Sequence, residues 1–375
     1  MISFGEKNFG FGLMRLPMLD GDHVDVDQVC EMVDLFIERG FTYFDTAWMY
    51  CNFKSEDATK EFLVDRYPRD AFTLTTKLHS GFINSLEDRD NIFNEQRRKT
   101  GVEFFDYYLL HDMGEGSYKK YGELDCFNWI MDKKEQGLVK HIGFSFHDRA
   151  DTLDKILTEH PEFEFVQLQL NYLDWNSEGI QSRKCYEVCK KHGKPVIVME
   201  PVKGGTLVNV PEAVEEHFKA KDPNMSVASW AIRFAASHEN VKMVLSGMGN
   251  IDMVDDNTSY MKDFVPLTEE EKEYVLEAAD IINKNITVPC TGCEYCISGC
   301  PKNICIPKYF DLYNADLQEF EGKGWNPQGT YYDRLTEKFG KASECIECGQ
   351  CEKACPQHLE IIKYLKDVAK HFEGQ

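Results

Sequence analysis

Short apolar runs alternate with longer stretches of helical periodicity over about 250 residues of the chain. Eight runs read as strands, at residues 11–16, 43–45, 72–77, 107–110, 141–144, 165–169, 196–199 and 241–245. Between them, residues 27–39, 54–67, 85–100, 124–137, 150–160, 181–192, 227–237 and 252–261 carry the spacing of amphipathic helices. Strand followed by helix, eight times over, is the pattern of a TIM (β/α)8 barrel. A doubly wound open sheet is the competing arrangement. It usually carries a glycine fingerprint after its first strand, and Gly10-Phe11-Gly12 has no third glycine opening a helix.

A further helix is predicted over 268–284, with Glu269, Glu270 and Glu271 in the first turn, where the helix dipole favours carboxylates. Beyond it, Val288-Pro289 opens a tail in which the barrel-like alternation stops. The expected division is an α/β barrel of residues 1–285 followed by a small, mainly helical domain of residues 286–375.

Cysteine usage changes the picture of that tail. Of 14 cysteines, five precede residue 290 and nine lie in the last 86 residues. Cys290, Cys293, Cys296 and Cys300-Pro301 follow the spacing C-x2-C-x2-C-x3-C-P, and Cys345, Cys348, Cys351 and Cys355-Pro356 repeat it. Such a run wraps one 4Fe-4S cluster with three thiolates, while the fourth, ahead of the proline, reaches the other cluster. The predicted ligand sets are Cys290, Cys293, Cys296 and Cys355 for one cluster, and Cys345, Cys348, Cys351 and Cys300 for the second. Zinc is the alternative, but zinc sites seldom use this doubled pattern. The 44 residues between Cys300 and Cys345, helical in spacing at 306–317, point to a helical ferredoxin-type module. Cys305 fits neither motif and reads as a spare thiol, and Cys30, Cys51, Cys126, Cys185 and Cys189 are scattered.

The balance of 64 acidic against 42 basic residues, a net charge of −22, argues against a nucleic-acid partner. No apolar stretch approaches the roughly 18–20 residues of a membrane span, and residues 1–20 lack the features of a signal peptide. A cytoplasmic protein without a membrane partner is expected, in a reducing setting where clustered thiols bind metal rather than pair as disulfides.

In such barrels the chemistry gathers at the carboxyl ends of the strands. There the sequence places Asp45 with Tyr50 just beyond, then Lys77, then His111. A tyrosine hydroxyl titrates near 10 and needs a neighbouring cation to act in proton transfer at neutral pH. Lys77 would supply that cation, Asp45 would hold the ammonium, and His111 would hydrogen-bond a substrate oxygen. Together they form a relay suited to carbonyl reduction. These segments, Phe44-Asp45-Thr46-Ala47 with Tyr50, the strand ending in Lys77, Tyr107 to His111 and Gly137 to Ser145, resemble the aldo-keto reductase family. With the paired cysteine motifs, the chain is similar to the iron–sulfur branch of that family.

The resemblance implies NAD(P)H-dependent reduction of a small carbonyl substrate, or the reverse oxidation, by Asp45, Tyr50, Lys77 and His111. It also implies nicotinamide contacts from Ser145 and Gln167, with Phe146 where relatives place an asparagine. Met199 stands where an aromatic commonly stacks on the nicotinamide. Glu200 falls near the cofactor pyrophosphate, where Lys203, Gly204 and Gly205 would compensate its charge. Asp256 and Asn257 match the adenine-side pair. Gly247, Met248 and Met253 occupy the places of the 2′-phosphate clamp, so NADH is expected over NADPH. Arg15 is a candidate for an anionic substrate group. The loops 111–122 and 202–224 are expected to set specificity, with Tyr118, Tyr121, Trp48 and Trp175 as an aromatic wall.

A hydride carrier moves two electrons and each cluster one. The second expectation is therefore an electron-transfer oxidoreductase, with a flavin in the barrel and clusters exchanging electrons with ferredoxin or another carrier.

Overall fold

The computed structural model describes residues 2, 4–284, 286–290, 292–318 and 326–374. Eight parallel strands, β1 (Phe9–Gly12), β2 (Tyr43–Asp45), β3 (Thr73–His79), β4 (Phe105–Met113), β5 (Val139–Phe146), β6 (Phe165–Gln169), β7 (Val196–Met199) and β8 (Val241–Gly247), close into a barrel in sequence order. The open-sheet alternative is excluded, because β1 pairs with both β2 and β8. The first strand is shifted from the expected 11–16. The chain leaves the sheet after Gly12, and Leu13–Arg15 form a 3-10 turn. Leu13 and Leu16 stay buried in that turn, so the apolar run outlasts the strand.

The segment 54–67 is not one regular helix: Ser55–Thr59 is α-helical and Lys60–Val64 is π-helical, with Asp65 N–H donating to Lys60 O. Both stretches read as loops contain helices, Glu115–Glu123 and Glu212–Lys221. The tail holds Ile306–Leu317, as expected, together with Pro327–Thr336, Gln350–Ala354 and Ile361–Glu373. No helix among the described residues is long and apolar enough to cross a membrane. Asn285, the last residue of the expected barrel segment, lies outside the described residues.

Alternation along the strands organises the barrel interior. Tyr43, Tyr107, Leu109, Phe165, Ile197, Met243 and Leu245 pack inside its amino-terminal half, where Phe4 joins them from below. Two residues further along the same strands come Asp45, His111, Gln167 and Met199. The inward face thus changes from apolar to polar toward the carboxyl ends, because residues i and i+2 share a face. Gly143 is required on this face: a Cβ there would lie 2.6 Å from the Phe165 ring and 2.7 Å from its carbonyl.

The tail docks on the carboxyl end of the barrel. Ile180, from the loop after β6, belongs to the tail's own apolar core with Ile306, Tyr309, Phe310 and Leu312. Asp311 accepts hydrogen bonds from Ser177 Oγ and from Gly179 N at 2.9 Å. Tyr331 packs edge-on against His147, and Lys338 lies 3.0 Å from Glu115. Arg334 Nη2 reaches Asp112 Oδ2 at 3.0 Å, next to His111, with both side chains largely shielded. Replacing Arg334 by alanine strands the Asp112 carboxylate, and a loss of about 1–3 kcal/mol of docking stability is expected. Anaerobic denaturant unfolding checks this; a midpoint equal to wild type would show that the pair contributes nothing.

Candidate active site and cluster centres

Four of the residues predicted as catalytic converge at the ends of β2, β3 and β4. Lys77 has no exposed surface, and its ammonium uses all three donors: to Asp45 Oδ1 at 2.5 Å, Thr46 O at 2.8 Å and Tyr50 Oη at 3.3 Å. Burial alone would drive this lysine toward neutrality, but Asp45 and Tyr50 hold its pKa above the ordinary value. Burial raises the pKa of Asp45, against the pull of Lys77. Tyr50 is also raised by burial, which Lys77 only partly offsets, so it carries its proton at neutral pH. The His111 ring stands edge-on to Tyr50 at 6.0 Å between centroids. Burial, and then the charges of Lys77 and neighbouring histidines, lower its pKa well below 6.5, leaving a neutral imidazole.

Backbone strain lies directly beside Tyr50. Cys51, Asn52 and Phe53 are three consecutive non-glycine residues at φ of 50°, 51° and 66°. Each such placement costs roughly 1–2 kcal/mol and persists only where surrounding contacts enforce it. Here Asn52 Nδ2 donates to Gly21 O at 2.6 Å, and Lys99 Nζ donates to Phe53 O at 2.5 Å.

Sequence reading missed the other wall of this mouth. His79 shares the inward face of β3 with Lys77 and packs edge-on against His111 at 5.3 Å. The two-residue spacing from Lys77 was its signal. Gly81 N–H donates to His79 Nδ1 at 2.9 Å, so a neutral His79 carries its proton on Nε2, which lies 3.7 Å from Asp112 Oδ2. Phe82 and Phe53 complete an edge-to-face run that ends at Trp48. Of the four aromatics expected to form a wall, only Trp48 is part of this run. Tyr121 is fully buried with its hydroxyl shared between the carbonyls of Leu78 and His111, Tyr118 packs on Phe127 and His160, and Trp175 stacks on His238. Arg334 was equally invisible, since it comes from 222 residues away in the chain.

The residues expected around a nicotinamide separate into groups. Ser145 and Gln167 are register partners on β5 and β6; Ser145 Oγ accepts from Asp112 N–H at 2.8 Å, and Gln167 Nε2 donates to Asp45 Oδ2 at 3.2 Å. Phe146 lies on the opposite face of β5, buried with Phe144. Met199 ends β7 half-buried. Lys203 has no exposed surface, and its ammonium is paired with Asp174 Oδ1 at 2.7 Å, away from any role in solvent. Asp256 and Asn257 line a cleft of about 620 Å³ between the loops after β7 and β8. Asp256 accepts from Ser226 Oγ, and Asn257 donates to Ser246 Oγ. Near the barrel axis, His111 Nδ1 and Gln169 Oε1 have no hydrogen-bond partner among the described residues. Unmatched buried polar atoms suit a site that receives a polar ligand such as an amide or carbonyl.

In the tail, one cavity is lined by Cys290, Cys293, Cys296 and Cys355, and a second by Cys300, Cys345, Cys348 and Cys351, with Ile306 bordering both. These are the two interleaved quartets of the spacing. Each three-cysteine run shares its cavity with the fourth cysteine of the other run, the ligation pattern of a two-cluster ferredoxin rather than of a zinc site. The loops share one backbone design. Gly292 and Glu294 flank Cys293 at φ of 68° and 63°, and Glu347 and Gly349 flank Cys348 at 56° and 70°. Asn303 and His358, each three residues after the fourth cysteine, match at 53° and 52°. Cys355 is extended (φ −77°, ψ 115°), as a residue before proline must be, which turns its thiol toward the partner loop. Cys305 is buried in the tail core.

The aldo/keto reductase family matches residues 8–280, and the 4Fe-4S dicluster domain matches residues 289–360. Among solved structures, an aldo-keto reductase from Klebsiella pneumoniae in complex with NADPH is similar at 18% identity and a TM-score of 0.59, over 75% of this chain and 96% of that one. A Bacillus halodurans aldo-keto reductase in its holo form gives 20% and 0.57, over 74% and 94%. A Brucella melitensis aldo/keto reductase gives 20% and 0.55, over 72% and 94%. No match is found among curated proteins. The protein therefore belongs to the aldo/keto reductase family, with a 4Fe-4S dicluster domain following its barrel.

Proposed function

We propose that this oxidoreductase reduces an aldehyde or ketone, or runs the reverse oxidation, with NAD(P)H, and that Tyr50 is its proton donor. The observation that carries the reading is the threefold use of the Lys77 ammonium on Asp45, Thr46 O and Tyr50. When bound, the nicotinamide supplies the hydride. Tyr50, protonated at neutral pH, gives its proton to the substrate oxygen. The tyrosinate that remains faces a charged Lys77, which Asp45 keeps protonated. Neutral His111 orients the carbonyl, and the Phe53, Phe82 and His79 wall favours a substrate with a flat apolar part. Ser145, Gln167 and Met199 would hold the nicotinamide, and Asp256 and Asn257 the adenine side.

NADH is the better fit. Among the described residues lining the cleft, Arg15 alone is cationic, against the carboxylates of Glu200, Asp252 and Asp256, which disfavours an added 2′-phosphate. Residues 1–285 and 286–375 are proposed as the two domains, consistent with family matches that end at 280 and resume at 289. The eight quartet cysteines are proposed as ligands of two 4Fe-4S clusters. Exposed Cys293 and Cys348, beside exposed Tyr295 and Ile346, favour a second reading in which ferredoxin or a similar carrier exchanges electrons there. A cytoplasmic location fits the thiol chemistry.

Anaerobically purified Tyr50→Phe protein is expected to lose about 10²–10⁴-fold in NADH-dependent reduction of a probe such as 4-nitrobenzaldehyde; unchanged turnover overturns the assignment. Asn52→Gly relieves the left-handed strain but removes the hydrogen bond to Gly21 O, so a stability change within about 1 kcal/mol is expected, with a lower kcat from a loosened Tyr50, as read by denaturant unfolding alongside the same assay. Metal analysis of the anaerobic protein is expected to give about eight irons per chain, and a zinc-only result refutes the cluster assignment.

A further inference from the structure

The cleft between the loops after β7 and β8 has one built anion cradle, formed at the turn that follows β7. Lys203, Gly204 and Gly205 all lie at positive φ, of 48°, 62° and 105°. Of their three N–H groups, those of Lys203 and Gly205 are bonded to Glu200 O and Val202 O within the turn, which leaves the Gly204 N–H to receive an anion. The Arg15 guanidinium stands over the same turn: a Cβ built on Gly204 would lie 3.5 Å from Arg15 Nη2. Among the described residues that line the cleft no other side chain is cationic. Lys203, adjacent in sequence, is withheld by its buried pair with Asp174.

This cradle already holds an anion from the chain itself. Glu200 Oε2 accepts a hydrogen bond from Gly204 N at 2.6 Å, and Glu200 Oε1 lies 3.8 Å from Arg15 Nη2. The arrangement is enforced from the backbone. Glu200 sits at φ 56°, a placement disfavoured for a residue with a Cβ. Its carbonyl is pinned by Asn171 Nδ2 and by Lys203 N, both at 3.1 Å. Backbone strain of this kind clusters at ligand sites, and here it sets the Glu200 carboxylate on the Gly204 amide and beside Arg15.

We infer that Glu200 is a resident phosphate mimic: its carboxylate occupies the Gly204 amide and Arg15, and a dinucleotide must displace it before its diphosphate can be seated. This rests on the reading of the cleft as the NAD(P)H site. Glu200 therefore sets a weak affinity for the nucleotide and makes binding depend on moving one side chain. Removing the charge frees the cradle. Glu200→Gln keeps a neutral acceptor for Gly204 N–H, and Glu200→Ala empties the position.

The test uses the anaerobic full-length holoprotein and fluorescence or calorimetric titration with NADH, ADP-ribose and adenosine. Both variants are expected to bind NADH and ADP-ribose about tenfold or more tightly than wild type, the size of a lost charge-assisted competitor, while adenosine, which has no phosphate, is unchanged. Adding Arg15→Ala to Glu200→Ala is expected to remove the gain. NADH and ADP-ribose affinities that are unchanged or weaker in both Glu200 variants would overturn the inference, as would an equal gain for adenosine. If neither wild type nor variants bind NADH or NADPH, the nicotinamide reading itself falls, and Glu200 was not the obstacle.

Discussion

A lysine ammonium without exposed surface is the constraint around which the carboxyl end of this barrel is arranged. Breaking a buried ion pair by removing one partner costs about 3–5 kcal/mol, so every donor on Lys77 needs a fixed acceptor. Asp45 answers from the neighbouring strand, Thr46 from its backbone, and Tyr50 from the loop beyond. Gln167 in turn orients Asp45 from across the barrel. The same positive charge adds to the burial that lowers the pKa of His111 and partly offsets the effect of burial on Tyr50. Burial and this one charge together thus set the protonation states of Asp45, Tyr50 and His111.

The tail is joined to this end of the barrel by charge and by shape. Asp112, held at φ 53° beside His111, is met from the tail by Arg334 and from β3 by His79. Asp311 and Leu312 approach Gly179 so closely that a Cβ there would lie 2.9 Å from the carboxylate and 3.1 Å from Leu312. The cluster loops and the catalytic mouth are therefore parts of one packed structure. Tyr331, Tyr332 and Leu335, from the helix that carries Arg334, share the tail's apolar core with Cys296, Cys351 and Cys355, so the packing around the cysteines reaches the contact with Asp112.

The mouth around Tyr50 and the cleft after β7 and β8 differ in how their charges are disposed. Around Tyr50 each charge has a close partner, whereas the cleft after β7 and β8 sets one guanidinium against three carboxylates. Lys203 illustrates how position in sequence misleads. Its place beside Gly204 suggested a phosphate ligand, yet the left-handed turn sends its chain inward to Asp174, where Gln169 and Asn171 complete the network.

The sequence by itself determined the barrel, the convergence of Asp45, Tyr50, Lys77 and His111 and the grouping of the cysteines into two quartets, because each rests on local spacing. Strand alternation puts Asp45, Lys77 and His111 on the inward face of whichever strands carry them, and the C-x2-C-x2-C-x3-C-P loops have a backbone that close neighbours define. Helices Glu115–Glu123 and Glu212–Lys221 escaped because their polar residues resemble loop composition and their apolar contacts lie elsewhere in the chain. Only the tertiary structure decided that Arg334 meets Asp112, that Lys203 is paired with Asp174 and that Glu200 bonds to the Gly204 amide. Each depends on bond directions set by distant packing or by left-handed backbone, and neither of these leaves a periodic trace in a sequence.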